Sequence, residues 1–187
     1  MRQQQSLTTE RLELRPFTLR DAARVRALAG DERVYGTATA APHPYGPGMA
    51  ERWIAYHQTI FYEERGVVYA ICLKQAELIG AIELRLNPER NCAQLGFWIG
   101  RVYWNRGYCT EAARAMMAYG FGVLGCDRIS AGHVPGNLAS GRVLEKIGMK
   151  REPLPPGEAE ENGQSCAMVT FSVSRFSFHL SRFSCGA

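Results

Sequence analysis

Hydrophobic and polar residues alternate with two different periods along the chain, and these periods predict the positions of strands and helices. Residues 11–17 alternate charged and apolar side chains up to Pro16, which predicts a half-buried strand. Short apolar runs bounded by turn residues predict further strands. These runs cover residues 67–74, 78–86 and 93–100. A short strand is predicted at 128–134, and a final strand pair at 149–152 and 166–173.

Apolar residues at a spacing of three or four predict four helices. Thr18 and Asp21 resemble a capping box before the first helix, and Gly30 ends it. The other helices cover about residues 49–64, 107–124 and 137–146. Large side chains on one face of the second helix are interpreted as core packing. They are Trp53, Tyr56, Ile60 and Phe61.

The order of these elements is strand, two helices, three strands, helix, strand, helix and two strands. Consecutive hairpin strands before a strand–helix–strand unit predict an α+β domain, with a mixed, mostly antiparallel central sheet and helices on both faces. We assign residues 1–174 to this domain and residues 175–187 to a C-terminal tail, in which Ser-Arg-Phe-Ser occurs at 174–177 and again at 181–184. The tail either packs on its own domain or forms a contact between the subunits of a homodimer.

Composition excludes several classes of function. The net charge of +4 suits an anionic cofactor or an acidic partner surface, but the charges form no block typical of nucleic-acid binding. The six cysteines form no Cys-x-x-Cys and have no His cluster nearby, so we expect neither a metal site nor a disulfide framework. No apolar run approaches ~18 residues and no signal core is present, so we expect a cytoplasmic protein without a membrane span.

The loop before the helix at 107–124 is the strongest candidate for a binding site. The helix begins without a side-chain cap, so its first N–H groups and the positive end of its dipole are available to an anion such as phosphate. Gly107 would allow close approach of a ligand to the backbone, and Arg106 adds a positive charge. The alternative is an ordinary strand–loop–helix connection.

Five segments in this order carry a resemblance to a known family. They are residues 9–17, 44–45, 95–99, 104–112 and 137–148. Together they make the chain similar to the GNAT superfamily of acetyl-CoA-dependent N-acyltransferases, and within it to the branch of ribosomal-protein N-terminal acetyltransferases (RimJ/RimL type). The resemblance covers nearly the whole chain.

The resemblance implies acetyl-CoA as the cosubstrate. Backbone N–H groups of the loop and the first helical turn would hold its diphosphate: Asn105, Arg106, Gly107, Tyr108, Cys109 and Thr110. Cys109 stands where the family usually has Gly or Ala, which leaves less room. Backbone groups of Trp98 and Ile99 would pair with the pantetheine arm as an added strand does.

The resemblance also implies catalytic residues. Ser140 stands where this branch has a serine proposed to protonate the CoA sulfur, and Asn137 where it has an asparagine near the cofactor. Asn137 could instead be only a helix N-cap, with Ser140 exposed in the first turn. Related enzymes often carry Glu at the position of Gln94, which cannot accept a proton. Glu83 on the preceding strand is the substitute candidate, unless it is only a solvent-facing carboxylate.

The acceptor is an amine, and the ionisation of amines bears on its class. An α-amine with a pKa of ~8 is about one-tenth neutral at pH 7, whereas a lysine amine with a pKa of ~10.4 is almost fully protonated. An α-amine therefore needs little help from a base, which favours a protein N-terminus. A small amine acceptor, such as an antibiotic, amino acid or polyamine, and a non-catalytic acyl-CoA-binding module are the alternatives.

Overall fold

The computed structural model describes residues 3–35, 46–74, 76–153 and 168–178, and these ranges contain one eight-stranded sheet. The strands are β1 (Leu7–Thr8), β2 (Leu12–Arg15), β3 (Gly66–Leu73), β4 (Leu78–Asn87), β5 (Cys92–Ile99), β6 (Arg128–His133), β7 (Lys150–Arg151) and β8 (Val169–Ser174). The helices are α1 (Ala22–Ala29), α2 (Glu32–Tyr35), α3 (Met49–Tyr62), α4 (Tyr108–Gly122) and α5 (Leu138–Lys146).

The strands follow the spatial order β1-β2-β3-β4-β5-β6-β8-β7. Every neighbouring pair is antiparallel except β5 and β6, which are parallel. This exception follows from the chain order, because α4 connects β5 to β6 as a crossover, whereas short turns connect β3, β4 and β5. The prediction of a mixed, mostly antiparallel sheet is confirmed.

Helices cover both faces of the sheet, as predicted. On one face α4 packs Met116 and Met117 against sheet residues such as Tyr69 and Leu84, all of them buried. On the other face α1 and α3 enclose a smaller core. That core consists of Ala22, Val25, Ala29, Ala50, Ile54, Ala70, Cys72 and Leu78. Two faces buried in this way explain why β3 is apolar without alternation.

Two details of the helices differ from the predictions. The capping box is present, since the Thr18 N–H donates to Asp21 Oδ2 at 2.8 Å, but it opens a short 3-10 turn before α1. On α3 the buried residues are Ala50, Ile54 and His57. Tyr56 is 48% exposed, so its interpretation as core was wrong.

Several predictions concern residues outside the described ranges. They include most of the loop at 36–48, the acidic loop at 153–164 and the second Ser-Arg-Phe-Ser at 181–184. The tail begins with a helical turn at 175–178, where Phe178 is buried and packs against Phe121 with ring centroids 5.0 Å apart. The domain boundary at 174 and the subunit contact stay predictions. None of the helices in the described ranges has the length and apolar character to cross a bilayer.

Candidate functional site

The central feature of the site is a gap between β5 and β6. Strand β5 pairs with β4 along its whole length, from Cys92 opposite Asn87 to Ile99 opposite Gly80. Its pairing with β6 ends at Leu95 opposite Ala131. Residues 96–99 therefore have no strand on the β6 side among the described residues. This stretch is an open sheet edge that an extended ligand arm can join.

The register determines which backbone groups face the gap. Gly100 N donates to Ile79 O at 2.8 Å, which directs the backbone groups of Gly100, and by alternation those of Trp98, toward β4. The backbone groups of Phe97 and Ile99 face the gap instead. The predicted contact of Ile99 with the pantetheine arm is compatible with this register, whereas the backbone groups of Trp98 are directed toward β4 and those of Phe97 take that place at the gap. The register needed for this assignment is not readable from the sequence.

A loop with left-handed backbone conformations connects this edge to α4. The Trp104 indole Nε1 donates to Ile99 O at 2.6 Å and holds the start of the loop against the strand end. Asn105 (φ +60°) and Gly107 (φ +78°) are both left-handed. Helix α4 then begins at Tyr108 without a side-chain cap, as predicted. Its first N–H groups are free of intrahelical bonds and form a cradle that suits a diphosphate.

The interior side of this helix end is apolar and uncharged. The Cys109 side chain packs against the core, and burial raises the pKa of its thiol to about 12. The thiol therefore stays neutral at physiological pH and adds no negative charge beside a bound phosphate.

Glu83 projects from β4 at the point where the gap opens. It lies opposite Gly96, the first residue after the last pairing of β5 with β6. Its side chain is 22% exposed and pairs with Arg85, with Nε and Oε1 2.9 Å apart. Burial raises the pKa of Glu83, although Arg85 opposes the shift. Glu83 is thus a half-buried carboxylate and not a fully solvent-facing one.

Asn137 and Ser140 lie at the beginning of α5. Asn137 Oδ1 accepts from Ser140 N at 3.1 Å, so Asn137 is an N-cap, as its residue type predicts. Its Nδ2 also donates to Ser140 Oγ at 2.8 Å. Ser140 is half-buried, not exposed as the alternative had it. Gly141 follows Ser140, and the buried His133 ring packs against it. Nε2 of His133 lies 2.9 Å from the position that a Cβ on Gly141 would occupy.

The parallel pair brings these groups to one edge of the sheet. Helix α4 follows the carboxyl end of β5, and α5 follows the carboxyl end of β6. The carboxyl ends of parallel neighbours lie at the same edge, where ligands of α/β sheets commonly bind. The N-termini of both helices therefore flank the gap. In the part of the chain that the structure describes, no group of three His, Cys, Asp or Glu residues could hold a metal ion.

Comparisons with known proteins agree with this architecture. The model of the acetyltransferase (GNAT) domain matches residues 11–150. The chain is 32% identical over 172 residues to the uncharacterized N-acetyltransferase YoaA of Bacillus subtilis, which covers 89% of this chain and 95% of YoaA.

Two solved structures share the fold at lower identity. RimJ of Mycobacterium smegmatis, in complex with CoA-disulfide, is 19% identical with a TM-score of 0.77, over 93% of this chain and 89% of RimJ. Ribosomal-protein-S5-alanine acetyltransferase of Vibrio fischeri is 15% identical with a TM-score of 0.77, over 92% of this chain and 97% of that protein. With a family match across most of its length, this chain belongs to the GNAT acetyltransferases and is an N-acetyltransferase that uses acetyl-CoA.

Proposed function

We propose that this chain transfers the acetyl group of acetyl-CoA to the N-terminal α-amine of a protein, of the ribosomal-protein type. The observation that carries the proposal is the Glu83 carboxylate at the point where β5 leaves β6. The ribosomal acceptor is supported by the shared fold with RimJ and with ribosomal-protein-S5-alanine acetyltransferase. Such an acceptor implies that the protein works in the cytoplasm.

Acetyl-CoA supplies the acetyl group as an activated thioester. The N–H groups of the loop and the first turn of α4 would hold its diphosphate, because they are uncapped and lie at the positive end of the helix dipole. The residues concerned are Asn105, Arg106, Gly107, Tyr108, Cys109 and Thr110. Phe97 and Ile99 would pair through their main chains with the amides of the pantetheine arm.

Glu83 would act as the general base at the acceptor amine. Its Oε1 is bound to Arg85 Nε, so Oε2 is the oxygen that would take the proton, directly or through one water. Burial raises the pKa of Glu83 toward that of the amine, which makes it a stronger base than an exposed carboxylate. An α-amine with a pKa of ~8 is partly neutral at pH 7, so one carboxylate of this kind is sufficient.

Ser140 would donate a proton to the departing sulfur. Asn137 Nδ2 already donates to Ser140 Oγ, so the hydroxyl hydrogen of Ser140 is left to point elsewhere. The cap bond from Ser140 N to Asn137 holds this side chain at the start of α5, beside the gap. Asn137 therefore combines the cap function with the orientation of Ser140.

The experiment that tests the proposal is release of free thiol from acetyl-CoA with different acceptors. Peptides beginning with Ala or Ser represent protein N-termini, and amino acids and polyamines represent small amines. Thiol release that depends on the peptides supports the proposal. Release with small amines alone would overturn the protein acceptor in favour of a small-molecule acetyltransferase.

A further inference from the structure

Arg11, in the turn between β1 and β2, binds the first turn of α4 across a separation of 100 residues. Its Nε donates to Glu111 Oε2 at 2.6 Å, and its backbone N donates to Glu111 Oε1 at 2.8 Å. Thr9 Oγ1 donates to the same Oε1 at 2.6 Å. Three donors from the amino-terminal turn therefore converge on one carboxylate at the beginning of α4.

The remaining atoms of the same guanidinium lie against residues 106–108, where the loop meets α4. Nη1 donates to Arg106 O at 3.0 Å, and the guanidinium carbon lies 4.8 Å from the centre of the Tyr108 ring. Nη2 lies 3.4 Å from the position that a Cβ on Gly107 would occupy. Within the described ranges Nη2 has no hydrogen-bond acceptor. The planar guanidinium therefore lies against residues 106–108, and both N–H groups of Nη2 remain available to a ligand.

The charges at the beginning of α4 explain why Arg11 pairs with Glu111. Glu111 suits the positive end of the α4 dipole, but a carboxylate there repels a diphosphate at the same end. Burial raises the pKa of Glu111, yet the hydrogen bonds from Thr9 and Arg11 outweigh it and hold the pKa below its usual value. Glu111 is therefore ionised at neutral pH, and Arg11 is the cation that compensates it.

We infer that Arg11 positions the cosubstrate: it holds residues 106–108 in the conformation that accepts a diphosphate, neutralises Glu111, and offers Nη2 to a phosphate oxygen. This inference rests on the binding of acetyl-CoA at the loop, as proposed above. A helix N-terminus by itself would not require Arg11, because its N–H groups are present whether or not the Glu111 carboxylate is compensated.

Titration calorimetry with CoA and with dephospho-CoA tests the inference on the full chain. Dephospho-CoA keeps the diphosphate and lacks the ribose 3′-phosphate. The variants are Arg11→Gln, Arg11→Lys, Glu111→Gln and the double variant Arg11→Gln/Glu111→Gln. Arg90→Gln is the matched control, since it removes the same charge from an exposed 3-10 turn after β4.

We expect Arg11→Gln to raise the Kd of both ligands about ten- to a hundredfold, the range for losing a hydrogen bond to a charged group. Arg11→Lys keeps the positive charge but loses the planar set of guanidinium donors, so its Kd should lie between those of the wild type and Arg11→Gln. The double variant binds more tightly than Arg11→Gln, because the uncompensated carboxylate is gone. Arg90→Gln binds as the wild type does.

Wild-type affinity in Arg11→Gln would overturn the inference. A loss of affinity for CoA but not for dephospho-CoA would also overturn it, because Arg11 would then bind the 3′-phosphate. A double variant no better than Arg11→Gln would reduce Arg11 to a structural contact. Melting temperatures identify any variant that fails to fold, and Arg11→Lys then decides the question. If the wild type itself binds neither ligand, the loop assignment fails, and the inference about Arg11 is overturned with it.

Discussion

Glu83 and Gly96 lie directly opposite each other on β4 and β5, at the first pair beyond the end of the β5–β6 ladder. Glu83 Oε1 is 3.0 Å and its Cγ 3.1 Å from the position that a Cβ on Gly96 would occupy. The carboxylate thus lies over the glycine, in space that any other residue would fill. The absence of a side chain at one position therefore locates the candidate base at the other.

Gly96→Ala should lower kcat by about tenfold, because the added Cβ displaces the carboxylate by a few tenths of an ångström and base geometry is sensitive to such shifts. The Kd of acetyl-CoA should not change. Steady-state kinetics and a binding titration measure the two effects. Gly122→Ala, where an added Cβ meets no atom within 4 Å, is the control. A kcat equal to wild type in Gly96→Ala would argue against Glu83.

Glu83→Gln should lower kcat by about a hundredfold, the lower end of general-base contributions, because an α-amine is partly neutral without a base. In the wild type, activity should fall as the pH drops through the raised pKa of Glu83, since only the ionised carboxylate accepts a proton. The glutamine variant should lack this acidic limb. Glu89→Gln, at an exposed position, serves as the control. An unchanged pH profile would remove Glu83 from the mechanism.

Gly107→Val should abolish CoA binding without unfolding the protein. Gly107 has φ +78°, a conformation that costs a β-branched residue about 1–2 kcal/mol and that the cradle requires. Gly125→Val is a matched control, because Gly125 has φ +74° in a turn after α4, away from the gap. Both variants should lose similar stability in urea unfolding, and only Gly107→Val should lose affinity. Normal CoA affinity in Gly107→Val would contradict the loop assignment.

Ser140→Ala should lower kcat and leave the Kd of acetyl-CoA nearly unchanged, since the hydroxyl is needed only as sulfur leaves. The cap bond uses Ser140 N, so the helix should keep its stability. Asn137→Ala, by contrast, removes the cap and should cost about 1 kcal/mol. Kinetics and unfolding of both variants separate the two roles. An unchanged kcat in Ser140→Ala would exclude Ser140 as the proton donor and leave it only its backbone bond in the helix cap.

His57 should make the protein sensitive to acid. The ring is buried between Phe17 and Trp53, neither nitrogen has a hydrogen-bond partner in the described part of the chain, and burial lowers the His57 pKa from 6.5 to about 4. The unfolded chain therefore binds more protons than the folded one between these values. Stability is complete above about pH 6.5 and falls by about 3 kcal/mol as the pH drops to 4.

His57→Phe should flatten this dependence, because the ring keeps its packing but no longer titrates. Urea unfolding of both proteins between pH 7 and pH 4.5 gives the two slopes. Parallel slopes would mean that other groups control acid stability.

Local patterns predicted those features that depend on residues close in sequence. The capping residues Thr18 and Asn137 lie where their hydrogen-bonding chemistry requires. Strands β3, β4 and β5 lie within one residue of their predicted ends, because apolar runs between turn residues leave few alternatives. The two-residue strand β1 and the four-residue helix α2 were missed, since a period cannot be read from so few positions.

The chain's alternation and turn residues were sufficient to predict an α+β domain, and the resemblance of its motifs to a known family predicted an acetyltransferase, because each of these signals arises from neighbouring residues. Tertiary structure decided the rest. The backbone groups of Phe97, and not those of Trp98, face the gap because strand register sets the direction of each backbone group. Tyr56 lies outside the core because packing sets the rotation of α3. Arg11 meets Glu111 only because folding joins segments 100 residues apart, a contact without any local period.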